Sequence, residues 1–150
     1  MTADDYFAIQ RLINIYFAFV DKGDFEAAGA LFDRAEIFYP VTGRRIVNDG
    51  NAVAELMRSH VKLHGPDGSV LTRHHSGNII IEPDGNDTAT ASCSAIIFQA
   101  TPDLPLQPIA EAFYRDRFAK EDGVWFFKRR EMQMNLPGNL SEHLMRPASP

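Results

Sequence analysis

The sequence predicts an α+β fold: helices first, then a long antiparallel sheet. Two patterns carry that expectation. Before residue 65, apolar residues recur at three- and four-residue steps; beyond it, strand-like runs are parted by turn signals at Pro83-Asp84-Gly85-Asn86 and Asp122-Gly123. The 150 residues suit one domain, with its core over residues 4–135 and an irregular tail over 136–150 that holds Pro137, Pro147 and Pro150.

Residues 4–20 read as an amphipathic helix, with Tyr6, Ile9, Ile13, Tyr16 and Val20 on one stripe. Thr2 and Asp5 have capping-box spacing, and Gly23 can end the helix. Asp24 caps a second helix over residues 25–32. Residues 35–39 form a short strand stopped by Pro40, and residues 44–47 another fragment. A third helix, capped from among Asn48, Asp49 and Asn51, is expected over residues 52–64 with His60 and His64 on its apolar stripe. Gly65-Pro66-Asp67-Gly68 breaks the chain. Strands follow over residues 70–82, 87–100, 109–120 and 124–135, with a proline-rich loop over 101–108.

A net charge of −5 and the lack of a basic run argue against a nucleic-acid partner. The longest apolar run, residues 13–20, is too short to span a membrane, and no membrane partner is expected. Cys93 is the only cysteine, so no intrachain disulfide forms and a reducing cytoplasm is the expected compartment. The N-terminus has no signal-peptide pattern.

His74 and His75 are neighbours in a strand, so their side chains point to opposite faces. Centring the first hairpin on Asp84-Gly85 puts Asn78, Ala89, Ala91, Cys93, Ala95, Ile97 and Gln99 on the His74 side and hydroxyl-bearing residues on the other. A face of small residues leaves room for a cavity, which places His74 inward and His75 outward. The second hairpin, centred on Asp122-Gly123, sets Asp116 opposite Arg129, Tyr114 opposite Glu131, and Arg115 opposite Arg130. Either face of it can line the cavity, so Arg129 and Arg130 both stand.

Asp21 ends the first helix, where the macrodipole disfavours a carboxylate by about 0.3–1 kcal/mol. A histidine or arginine is its natural partner. With His74 it makes an acid–base dyad, because a carboxylate on one imidazole nitrogen fixes the tautomer and leaves the other nitrogen free to move a proton. Tyr16 lies about 140° around a regular helix from Asp21 and joins the same cavity only if the helix end unwinds. The competing reading is a hydrogen-bonded core histidine with a capping aspartate, and on residues alone it is the commoner case. His60 and His64 have zinc-helix spacing, but no Glu follows His60, and no metal is expected. Cys93 lies mid-strand without a basic neighbour and reads as an inert thiol. Phe17, Phe38 and Phe98 can wall an apolar pocket.

Taken together these segments resemble SnoaL-like proteins of the nuclear-transport-factor-2-like superfamily. The likeness rests on Tyr16, Asp21, Gly23, Asp24 and Phe25 in the opening helix and on Leu31-Phe32-Asp33 and Tyr39-Pro40. It continues in Thr72-Arg73-His74-His75-Ser76-Gly77-Asn78, Tyr114-Arg115-Asp116-Arg117 and residues 125–130. The resemblance implies a cystatin-like cone, a curved antiparallel sheet wrapped around N-terminal helices with a central pocket. The branch it points to holds scytalone dehydratase, bile-acid dehydratases and β-subunits of ring-hydroxylating dioxygenases. In its dehydratases a Tyr, an Asp and a His form the working core, which carries over to Tyr16, Asp21 and His74. Scytalone dehydratase has its Tyr where this chain has Val20 and a second histidine near Gln99, so scytalone is not the expected substrate.

The resemblance thus implies a cofactor-independent lyase or isomerase acting on a hydrophobic cyclic carbonyl compound. His74, Asp21 and Tyr16 are its expected catalytic residues. Asn78, Gln99, Tyr114, Arg130, Phe17 and Phe38 are expected to bind substrate, with Arg129 the alternative to Arg130. A homo-oligomer, dimer or trimer, is implied by the way the outer sheet face pairs in this superfamily. The alternative is a non-catalytic ligand-binding or assembly subunit similar to a dioxygenase β-subunit.

Overall fold

In the structure, a computed structural model that describes residues 1–145, helix α1 spans Ala3–Lys22. The capping box forms: Asp5 N–H donates to Thr2 Oγ1 at 3.2 Å and Thr2 N–H to the Asp5 carboxylate at 2.8 Å. Gly23 closes the helix in the left-handed conformation, φ 74°. Asp24 caps α2, Phe25–Ala30. Two short strands follow, β1 (Glu36–Tyr39) and β2 (Arg44–Val47).

Helix α3, Gly50–His60, is capped by Asp49 and stops four residues short of the expected end. The reason is Val61, which turns extended and bridges Leu144 near the C-terminus. Strands β3 (Thr72–Pro83), β4 (Thr88–Thr101), β5 (Leu104–Glu121) and β6 (Val124–Pro137) complete the fold. The six strands form one curved, unclosed sheet in the order β2-β1-β6-β5-β4-β3. All neighbours are antiparallel except β1 and β6, which run parallel.

The proline-rich stretch is not a loop. Strand β5 starts at Leu104, and Pro108 pairs with Phe98 at a register shift, where a missing N–H breaks no regular ladder bond. Strand β6 enters the stretch expected to be irregular by two residues. Pro147 and Pro150 lie outside the described residues.

One sheet face carries the core. Ala89, Ala91, Cys93, Ala95 and Ile97 of β4 are buried, and Ile9, Ile13, Tyr16, Phe17 and Val20 of α1 are buried with them in one apolar cluster. Thr90, Ser92 and Ser94 alternate onto the more exposed outer face. No helix among the described residues is long and apolar enough to cross a membrane.

Two bulges reset the registers expected from the turns. The first hairpin closes through a four-residue loop, with Asp84 N–H donating to Thr88 O at 3.0 Å, and past the register shift between Gly77 and Ile80 His74 pairs with Ile97 rather than Ala95. The slip of two leaves His74 on its expected face. A bulge between Gly77 and Ile80 then turns Ile80 outward, 57% exposed, and Ile81 inward. In the second hairpin a bulge at Arg117/Phe118 sets Asp116 opposite Arg130 and Arg115 opposite Glu131. It removes the unfavourable Arg115–Arg130 pairing and gives each arginine an acidic neighbour.

Candidate functional site

The last turn of α1 meets the start of β3. Thr72 and His74 are two residues apart in a strand and so share a face. Both reach Asp21: Thr72 Oγ1 donates to Oδ1 at 2.8 Å, and His74 Nδ1 donates to the same oxygen at 2.6 Å. Strand β3 is an edge strand, and the main-chain N–H of His74 is free to donate to Asp21 Oδ2 at 2.8 Å. Three donors thus hold the carboxylate against its unfavourable helix end. Burial pushes the Asp21 pKa up, but the hydrogen bond and charge of His74, its main-chain N–H and Thr72 outweigh that and hold it below the usual carboxylate value.

Both side chains are nearly enclosed, His74 at 7% and Asp21 at 11% exposure. With Nδ1 committed to Asp21, the free nitrogen of His74 is Nε2. Phe17 stacks on the imidazole at 5.2 Å between centroids and 13° between planes, and its edge meets Tyr114 at 5.1 Å. His75 turns to the outer face and packs edge-on against Phe98.

A second charged pair lies in the same core. Arg130 is fully buried, and its Nε and Nη2 donate to the two Asp116 oxygens at 2.8 and 2.7 Å. Its guanidinium stacks on the rings of Tyr16 at 4.3 Å, Phe127 at 4.7 Å and Tyr114 at 4.9 Å. Burial works against the charge, but attraction to Asp116 and its hydrogen bonds hold the Arg130 pKa above the ordinary value. Arg130 Nη1 is buried with no hydrogen-bond partner. Burial raises the pKa of Tyr16 and Tyr114, so both phenols stay protonated at neutral pH.

Arg129 points the other way, to Glu36 at 3.7 Å and Glu131 at 3.5 Å, so the inward arginine is Arg130. Phe38 does not wall the core either. It lies over Arg45 and Arg129 on the outer side, because its neighbour Ile37 takes the inward position beside Arg130. Asn78 is exposed at the β3 bulge, with φ 51°. Gln99 is buried, but its amide donates to Val70 O at 3.2 Å and Glu142 O at 3.0 Å, which gives it a role in holding the backbone.

Tyr16 reaches the dyad indirectly. The helix stays regular to Lys22, and Tyr16 faces Arg130 while Phe17, one residue on, covers His74. His60 and His64 do not converge. His60 Nδ1 lies 2.9 Å from Leu56 O, and His64 Nε2 donates to Glu142 O at 2.8 Å. Among the described residues no three His, Cys, Asp or Glu side chains gather as metal ligands. Burial pushes the Cys93 thiol up to about 11.

Two groups of the site escape sequence reasoning. Asp116 faces Arg130 rather than Arg129 through a bulge that leaves no mark in the sequence pattern. His143 sits in the tail, where no periodicity speaks for it. Its Nδ1 is buried without a partner, and burial and the His74 charge lower its pKa to about 4.

The sequence profile of the SnoaL-like domain matches residues 1–131. A search of the curated proteins finds no match. Among solved structures, an NTF2-like protein with a cystatin-like fold from Novosphingobium aromaticivorans is 25% identical with TM-score 0.69, over 87% of this chain and 82% of that one. A candidate scytalone dehydratase from the same organism is 25% identical with TM-score 0.66, over 88% and 85%. The β subunit of a candidate aromatic-ring-hydroxylating dioxygenase, also from that organism, shares the fold at 20% identity and TM-score 0.64, over 85% and 87%.

Proposed function

The chain belongs to the SnoaL-like domain family, and from that premise we propose that it is a cofactor-independent lyase or isomerase acting on a hydrophobic cyclic carbonyl compound. The observation that carries this reading is the His74–Asp21 pair, bonded at 2.6 Å and walled by an aromatic ring. Likeness to a candidate scytalone dehydratase supports the reaction class.

Asp21 orients His74 and stabilises the imidazolium that forms when Nε2 takes a proton from the carbon next to the carbonyl. The C–H electron pair moves into the ring as an enolate. The unpartnered Arg130 Nη1 and the protonated Tyr16 phenol are the donors at hand for its oxygen. Asp116 keeps the guanidinium charged and fixed. The imidazolium then protonates a leaving hydroxyl, which departs as water, or returns the proton to another carbon. Phe17 and Tyr114 supply the apolar walls. The chain works in this reading as a homo-oligomer in the cytoplasm, a compartment consistent with its single, buried Cys93 thiol.

The test is incubation with α-tetralone in deuterium oxide, followed by proton NMR. The reading requires protein-dependent loss of the α-hydrogen signal. A panel of cyclic ketones that shows no exchange above buffer contradicts it, and favours a non-catalytic binding or assembly subunit.

A further inference from the structure

The chain beyond β6 folds back over β5, the end of α3 and the α3–β3 connection, and is fastened to them at several points. Gly138 N–H donates to Ile109 O at 2.8 Å, Lys62 N–H to His143 O at 2.8 Å, and Met145 N–H to His60 O at 2.8 Å. Gln99 and His64 both donate to the carbonyl of Glu142, at 3.0 and 2.8 Å. Two side chains from separate elements thus grip the peptide next to His143. Its main-chain N–H bonds Leu140 O at 3.0 Å, which fixes the residue further.

This fastening holds a third imidazole in the field of the dyad. Gln99, which holds the Glu142 carbonyl, pairs in the sheet with Thr72, whose hydroxyl donates to Asp21, and the charges of His74, Asp21 and His64 act on His143. His64 is spoken for by Glu142 O, and His74 Nδ1 by Asp21. His143 Nδ1 is buried with nothing to bond, as are Arg130 Nη1 and Gln99 Oε1. Buried polar atoms in folded proteins almost always have a partner, so an empty one on a firmly held residue beside a candidate active site calls for an explanation.

We propose that His143 is a substrate-contacting residue of the His74–Asp21 site, its Nδ1 hydrogen-bonding an oxygen of the bound compound. The inference rests on the reading of that site as a pocket for a cyclic carbonyl compound, and it narrows the ligand class. A substrate with two oxygens fits: one meets Arg130 and Tyr16, and the second, a ring hydroxyl, meets His143. Burial keeps His143 neutral near pH 7. It therefore leaves the proton transfer to His74 and serves as a neutral hydrogen-bond partner.

The probe is 4-hydroxy-1-tetralone, whose hydroxyl is not placed for simple β-elimination. Imidazole nitrogen NMR of the unaltered protein should show the His143 resonances moving as the probe binds. His143→Phe, which keeps the ring volume, should bind it about tenfold more weakly, and His143→Gln should recover part of the loss. Absence of binding, binding that leaves the His143 nitrogens unmoved, or equal affinity in His143→Phe overturns the proposal. The two readings fail separately. Movement of the His143 signals without α-hydrogen exchange sinks the acid–base reading alone, whereas exchange with an unmoved His143 sinks only this one.

Discussion

Asp21 is a carboxylate at the end of a helix that repels it, and it is retained because three donors converge on it. Its lowered pKa has a signed consequence. The stability it contributes is present above the ordinary carboxylate value, roughly pH 4, and is lost as pH falls through the lower folded value. Asp21→Asn should therefore cost roughly 2 kcal/mol at neutral pH and flatten the acid limb of the stability curve, as read by denaturant midpoints across pH. The buried Asp116–Arg130 pair behaves differently. Asp116→Ala strands a fully enclosed guanidinium and should cost about 3–5 kcal/mol, while Arg129→Ala, on the outer face, should change stability by less than about 0.5 kcal/mol. Urea melts of the two variants compare them directly. Much of this was legible in the residues. A misplaced aspartate asked for a partner, and Thr72-x-His74 put two donors on one face. The Arg130 partnership was not legible, because the pairing turns on one bulge.

At the scale of elements, α2 and α3 touch through glycine. A Cβ on Gly29 would meet the carbonyl of Gly50, and one on Gly50 would meet Asp33 Oδ1 and the carbonyl of Gly29. Gly50→Ala should force the helices apart and lower the unfolding midpoint by an amount typical of overpacking, about 1–3 kcal/mol, read by thermal or urea denaturation. Helix starts were readable to within two residues: Thr2 and Asp24 each hold the start of one, and Asp49, one of three candidate caps, holds the third. The end of α3 was not, because Val61 leaves the helix to pair with Leu144, a contact far away in sequence. The positions of Phe38 and Asn78 escape the sequence for the same kind of reason. Which face of a four-residue strand is inward depends on its neighbour β6, and the side of Asn78 depends on the β3 bulge.

The molecule as a whole is a helix-filled sheet closed by its own C-terminal segment, residues 138–145. His143 links that closure to pH. Its folded pKa is lowered to about 4, so between roughly pH 6.5 and 4 the released state takes up a proton that the docked state refuses. Stability at this point is full above that window and falls through it, by roughly 3 kcal/mol at most. The charges of His74, Asp21 and His64 act on the group. Hydrogen exchange at the Lys62 and Met145 amides, which bond across the closure, should accelerate on acidification beyond the intrinsic pH dependence and before the core strands open. The central claim is that His74 moves the proton. The direct measurement is the rate of deuterium uptake at the α-carbon of α-tetralone by the unaltered protein and by His74→Ala, at equal folded concentration. The account predicts a fall of about a hundredfold or more in the variant. Equal rates in a folded His74→Ala protein would contradict it.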